Sequence, residues 1–118
     1  MKKEKFYKNL VAWKKSDQLA HAIYSQTKYF PKEESYGLKS QLRRAGLFIP
    51  TNIVEGVSRQ SKKETKYFLN IALASLAETD YLLDFCLEEE LFTKKVYDDL
   101  EELRCSAGAL LWGFIKSF

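Results

Sequence analysis

Turn-forming residues are scarce. The 118 residues include 5 glycines and 2 prolines, too few of either for an all-β sandwich with its many turns. One histidine and two cysteines, far apart in the chain, leave almost nothing for a zinc site or a His-based catalytic constellation. There is no Gly-rich phosphate loop and no Glu-x-x-His motif of the di-iron bundles. No stretch reaches the ~18 consecutive apolar residues of a membrane span. The basic start, Met1 to Lys8, is not followed by the apolar segment of a secretory signal. The expected location is therefore cytoplasmic, where Cys86 and Cys105 stay reduced. Both are expected as small core residues on helices.

What is present suits a helical core. The chain is 46% hydrophobic and 30% charged, enough to fold as one domain over residues 1–118. Four helices are expected, at about 10–30, 35–57, 62–89 and 94–116. In the first, Trp13, Ser16, Ala20, Ile23, Thr27 and Phe30 recur three and four apart, with Leu19 beside them. Pro31 stops it, and Glu33 and Glu34 favour a new start. In the second, Leu38, Leu42, Ala45, Ile49, Asn52 and Gly56 keep the phase. Pro50 lies inside it and is expected to kink the helix near Gly46, whose missing side chain leaves room. Two shorter helices are the alternative, but the apolar phase runs on to Ile53.

Ser61 and Glu64 form a capping box ahead of the third helix. Its expected seam is Leu69, Leu73, Leu76, Asp80, Leu83 and Leu87, with a second stripe of Phe68, Ala72, Ser75, Thr79, Leu82 and Cys86. Thr93 is the expected cap of the fourth. Val96, Leu100, Leu103, Ala107, Leu110 and Phe114 form its seam, and Leu111, Trp112, Ile115 and Phe118 add apolar surface beyond it. Short connections make neighbours antiparallel, so the fold expected is an all-α up-down-up-down four-helix bundle. The apolar stripes are wider than one bundle needs, which points to self-association.

The net charge of +3 hides an axial separation. In such a bundle one pole gathers eleven cations against four carboxylates, a net +7. The opposite pole holds four cations against ten carboxylates, a net −6, and the middle carries +2. Helix three runs against its own dipole, with lysines at its start and glutamates at its end. Each such charge costs roughly 0.3–1 kcal/mol at low salt, so helix stability alone would not select the pattern. A phosphate backbone is one partner for the basic pole, and an acidic protein surface is another.

Candidate chemistry is thin. Asp80, Asp84 and Glu88 lie four apart, but the facing helices supply no matching inward carboxylates for the magnesium chemistry of four-helix nucleotide pyrophosphohydrolases. No arginine precedes His21 as in helical ribonuclease toxins, so a partly exposed place on helix one is expected for it. Asp80 reads as a buried polar residue that fixes register. It is expected to share a structural polar network with Glu78, Asn52 and Glu55, and with Arg43, Arg44 or Arg59 as cationic partners.

The residues of helix two carry a resemblance. Tyr36-Gly37-Leu38, Gln41-Leu42-Arg43-Arg44-Ala45, Asn52-Ile53-Val54-Glu55-Gly56 and Arg59 resemble the bacterial four helix bundle protein family, also called the 23S rRNA intervening-sequence protein family. Leu10-Val11-Ala12-Trp13-Lys14-Lys15-Ser16, Phe30-Pro31, Phe68-Leu69-Asn70-Ile71-Ala72 and Ser75-Leu76-Ala77-Glu78 extend it over about residues 6–115. Phe48 departs from the family pattern, which has a small residue there. The resemblance implies a left-handed up-down bundle assembled as a ring-like homopentamer, with no established molecular activity. The family is also similar to the accessory variability determinant of diversity-generating retroelements, a basic pentameric bundle associated with a reverse transcriptase and nucleic acid.

Together these readings give an expectation. The protein is a non-enzymatic homo-oligomer without cofactor or metal, bound to no membrane. Its basic pole engages RNA or DNA backbone through Lys2, Lys3, Lys5, Lys8, Arg59, Lys62, Lys63 and Lys66. Few aromatic residues beyond Phe6 and Tyr7 are interleaved with these cations, so sequence specificity should be weak. A protein–protein adaptor docking an enzyme such as a reverse transcriptase is the alternative. A pyrophosphohydrolase dependent on Asp84 is a third reading.

Overall fold

In the computed structural model, which describes residues 5–118, four helices carry the fold: α1 (Val11–Thr27), α2 (Leu38–Val57), α3 (Lys62–Glu88) and α4 (Lys94–Lys116). Short 3-10 turns at Phe6–Asn9 and Lys32–Glu34 precede α1 and α2. No strand occurs among the described residues, and no helix is long and apolar enough to cross a membrane.

Each helix packs on the next, and α1 also packs on α4. The touching residues run in opposite order along each pair. Arg43 meets Thr27, and Gly46 lies against Ile23. Gly56 lies against Thr65 and Phe68. Tyr97 meets Asp84, and Gly108 lies against Leu76. Leu10 and Val11 share a groove with Gly113 and Phe114. Neighbours are therefore antiparallel, so the starts of α1 and α3 share one end with the finishes of α2 and α4.

Helix boundaries follow from local bonds. α1 ends three residues short of the expected Phe30. Arg43 meets this last turn, donating from Nε to Thr27 Oγ1 at 2.7 Å and from Nη2 to the Tyr24 carbonyl at 3.0 Å, which also accepts from Thr27 Oγ1 at 3.3 Å. Phe30 is buried beyond that end and packs on Phe92 with ring centres 5.1 Å apart. α2 starts at Leu38 rather than Ser35, because Glu33 and Glu34 belong to the separate 3-10 turn. The Glu34 carboxylate accepts the Leu38 N–H at 3.2 Å. α2 is continuous through Pro50. Gly46 leaves room for Ile23, since a Cβ there would lie 2.8 Å from Ile23 Cδ1.

Ser61 Oγ accepts the Glu64 N–H at 3.1 Å, and Thr93 Oγ1 accepts the Val96 N–H at 3.2 Å. Each such cap stabilises its helix by about 1 kcal/mol. The Glu64 carboxylate makes no described return bond, so the capping box is half formed. α3 closes with Glu90 in the left-handed region at φ 62° and a bond from Leu91 N–H to the Cys86 carbonyl at 2.8 Å.

The core is built from Leu19, Ile23, Leu42, Ile49, Ile53, Leu69, Leu83, Leu100 and Leu111, all fully buried. Burial of each such side chain contributes about 1.5–3 kcal/mol. Two expected seams shift. On α3, Leu73, Asp80 and Leu87 are only half-buried, whereas Ala72, Ser75, Thr79, Leu82 and Cys86 of the second stripe are buried. α3 packs on both α2 and α4, so it buries the strip between the two stripes. On α4, Leu103, Leu110 and Phe114 are half-buried, whereas Leu111 and Ile115 are buried. The true line passes through Leu100, Arg104, Ala107, Leu111 and Ile115. Cys86 is buried as expected, but Cys105 is exposed. Burial, with a smaller effect from Glu34, pushes the Cys86 thiol up to about 11.

Candidate nucleic-acid interface

The antiparallel order brings the basic segments to one end. Lys5 precedes the first 3-10 turn, Lys8 lies within it, and Lys14 and Lys15 sit in the first turns of α1. Arg59 follows α2, Lys62, Lys63 and Lys66 open α3, and Lys116 closes α4. All are exposed except Lys15, which is half-buried. Lys2 and Lys3 lie outside the described residues.

The carboxylates at this end do little to neutralise it. Glu55 pairs with Arg59 at 2.8 Å, and Asp17 lies 3.5 Å from His21, which is exposed. Arg59 is further fixed by stacking over Phe68, 4.6 Å from the ring centre. None of the lysines at this end makes an ion pair among the described residues. Exposed aromatic rings stand among them, the most open being Tyr67 at 63% and Phe6 at 59%. Tyr7, by contrast, packs edge-on against Trp13 at 5.0 Å. Tyr67 was not legible as an interface residue, although its place one residue after Lys66 and four after Lys63 puts it on the same outer face of α3.

The expected polar network does not form as one unit. Arg43 bonds to the last turn of α1 and stacks over Tyr24 at 4.4 Å. Arg44 stacks over Phe48 at 5.1 Å. Asn52 donates to the Phe48 carbonyl at 2.8 Å within its own helix. Glu55 holds Arg59, and Glu78 lines a cleft beside Arg44. Asp80 pairs with none of these arginines; its partner is Arg104 of α4, with Nε 3.1 Å from Oδ1. Arg104 also binds Glu101, and Tyr97 donates to Asp84 Oδ1 at 2.5 Å. The bond to Glu101 raises the Arg104 pKa, and the bond to Asp84 raises that of Tyr97.

One expectation about carboxylates needs correcting. α4 does supply an acidic partner to α3: Asp80, Asp84 and Glu101 bring carboxylate oxygens within 4.8 Å of one another. Glu88 is exposed and apart. Arg104, only 17% exposed, answers two of the three carboxylates directly. The donor set is thus already matched to a guanidinium, and nothing beyond the acidic cluster itself points to a bound cation.

The surface also has an apolar groove between α1 and α4, with two adjoining hollows of about 340 and 610 Å³. Val11 and Leu110 line both, and Val11 is 60% exposed.

Comparison with known proteins places this geometry. The sequence pattern of the family described as 23S rRNA-intervening sequence protein matches residues 8–113. A crystal structure of a protein of unknown function from the S23 ribosomal protein family of Bacteroides thetaiotaomicron superposes with a TM-score of 0.82. The two sequences are 28% identical, and the match covers 90% of this chain and 96% of that one. No curated protein matches the sequence.

Proposed function

The chain belongs to the 23S rRNA-intervening sequence protein family, and from that premise we propose that it is a non-enzymatic homo-oligomeric scaffold whose basic pole binds the backbone of RNA or DNA. The observation that carries the reading is the set of unpaired lysines at one end: Lys5, Lys8, Lys62, Lys63 and Lys66, with Lys14, Lys15 and Lys116 behind them. Phosphates are the chemistry that dispersed, flexible ammonium groups suit, because they neutralise charge without demanding a fixed geometry. Phe6 and Tyr67 add exposed faces on which unpaired bases can stack.

Self-association is supported by the α1–α4 groove, since exposed apolar surfaces of this kind are rare on monomers. A homopentamer is the assembly that the resemblance implies. With subunits parallel in a ring, the basic ends add into one positive face.

A fluorescence-anisotropy titration with mixed-sequence RNA and DNA, repeated over a salt series, tests the binding. Micromolar or tighter affinity at low salt is expected. The logarithm of the constant should fall linearly with the logarithm of salt, by roughly 0.9 per duplex phosphate contacted. Absence of binding at micromolar protein would sink the proposal. Light scattering tests the assembly: a mass of 13.8 kDa, that of one chain, would contradict it.

A further inference from the structure

Away from the basic pole, two clefts meet on the outer surface of α2. The larger, about 520 Å³, lies towards α3 and is lined by Tyr36, Gln41 and Glu78 among others. The smaller, about 370 Å³, lies towards α1 and is lined by Tyr24, Lys39 and Arg43 among others. Ser40, Arg44 and Phe48 belong to both. Both volumes fall in the range typical of small-molecule sites, about 300–1,000 Å³.

The lining has a definite chemical character. Three cations, Lys39, Arg43 and Arg44, face one carboxylate, Glu78, and none of these four makes an ion pair within the described residues. Three aromatic rings are left open: Tyr36 at 99% exposure, Tyr24 at 41% and Phe48 at 40%. Arg43 and Arg44 are already stacked over Tyr24 and Phe48, so their guanidinium planes are held in place before any ligand arrives. Arg43 is anchored further by its bonds to Thr27 and Tyr24. Hydroxyl donors from Ser35 and Ser40 complete the surface.

We propose that these joined clefts bind a short stretch of single-stranded nucleic acid, with a base stacked on Phe48 or Tyr36 and its phosphate on Arg44 and Lys39. Fixed guanidinium planes suit phosphate, and open aromatic rings suit bases that are not paired. Duplexes hide those base faces, so stacking here discriminates single strands from duplexes, which the lysine–phosphate contacts of the pole do not. Glu78 supplies an acceptor for the exocyclic amine of a base such as cytosine. The proposal rests on the nucleic-acid reading above and specifies the form of ligand. α2 rises ~1.5 Å per residue, so Arg44 lies about 20 Å from Arg59, well beyond a Debye length of about 8 Å at physiological salt. The two sites can therefore be disabled one at a time.

The test uses two probes, a fluorescein-labelled cytidine 12-mer RNA and a 12-base-pair RNA duplex, with the full chain. The double variant Arg44→Ala, Phe48→Ala should weaken 12-mer binding by about tenfold, the loss expected for one stacked base. It should leave duplex affinity within about twofold, since no base is stacked there. The triple variant Lys62→Glu, Lys63→Glu, Lys66→Glu should weaken both. A 12-mer containing the photocrosslinker 5-iodocytidine, which keeps the exocyclic amine, should crosslink within the segment from Tyr36 to Phe48. The proposal is overturned if the double variant binds the 12-mer as the parent does, or if crosslinks fall only at the pole. It is overturned equally if the double variant changes the assembly mass in light scattering, since the clefts would then be a subunit contact. Failure of the pole reading looks different: the triple variant would bind the duplex normally. Both substituted side chains are exposed, and circular dichroism verifies that the fold is kept.

Discussion

Lys94 and Lys95 at the start of α4 each reach a carboxylate one turn on, whereas Lys62 and Lys63 at the start of α3 reach none. Lys94 meets Asp98 at 2.6 Å and Lys95 meets Asp99 at 3.0 Å. The residues four beyond Lys62 and Lys63 are Lys66 and Tyr67, a like charge and an exposed ring. Both helices begin with two lysines after a hydroxyl cap, so the difference lies one turn later. Tyr97 and Asp84 also tie α4 to α3 near this end, and Arg104, Asp80 and Glu101 tie them towards the middle of the bundle. One end of the bundle spends its charges on itself, and the other leaves them facing solvent. α3 spans ~40 Å at 1.5 Å per residue, several Debye lengths at physiological salt, so the two ends act independently.

Reversing the unpaired end should have the largest effect. The variant Lys62→Glu, Lys63→Glu, Lys66→Glu is expected to lose on the order of 100-fold in RNA affinity, with a salt slope shallower by about 2–3. Its unfolding free energy should not fall, because acidic residues near a helix start suit the dipole. Lys94→Glu with Lys95→Glu should do the opposite. RNA affinity should change little, and stability should drop by up to about 1 kcal/mol, because two surface pairs are lost and the new carboxylates face Asp98 and Asp99, which outweighs their gain at the helix dipole. Anisotropy and urea titrations read both quantities. An equal loss of RNA affinity in both variants would remove the distinction between the ends.

Arg104→Met comes next and strikes the cross-link between α3 and α4. It leaves Glu101 and Asp80 without their cation, and these are 25% and 44% exposed. Loss of one partner from a fully buried pair costs about 3–5 kcal/mol, and solvent reaches this cluster. A destabilisation of about 1–3 kcal/mol is therefore expected in urea unfolding, with RNA affinity unchanged. Unaltered stability would show that the three charges are solvated surface groups with no role in joining α3 to α4.

These two ends also show what could be read before the structure. α4 appears where the pattern put it, because Thr93 and the apolar spacing are local signals. The charge separation was legible for the same reason: it depends only on which helix ends lie together. Partners distant in sequence were not legible. Arg43 bonds to Thr27 in the last turn of α1 from 16 residues away, and no local pattern announces that. Arg104 was missed as the partner of Asp80, because an arginine between Leu100 and Ala107 reads as a gap in the apolar stripe. On α3 two apolar stripes compete, and only packing against both α2 and α4 decides that the strip between them is buried. The α2 clefts escaped notice because Tyr24, Lys39 and Phe48 come from different turns and two helices.

Ser16 sharpens the comparison from inside the bundle. Arg104 on α4 has two carboxylate partners, and Tyr97 two turns before it has Asp84. Ser16 on α1 is fully buried, and its Oγ makes no hydrogen bond. A buried polar atom without a partner costs about 1–3 kcal/mol. Alanine keeps the Cβ, removes the hydroxyl and favours the helix by up to about 0.5 kcal/mol. The loss of one atom's packing offsets part of that gain. Ser16→Ala should therefore stabilise the protein by about 1 kcal/mol in urea unfolding, without changing RNA affinity. A clear loss of stability would mean that the hydroxyl is satisfied in solution, by an α1 carbonyl or by a neighbouring subunit, and that the interior is matched on both sides.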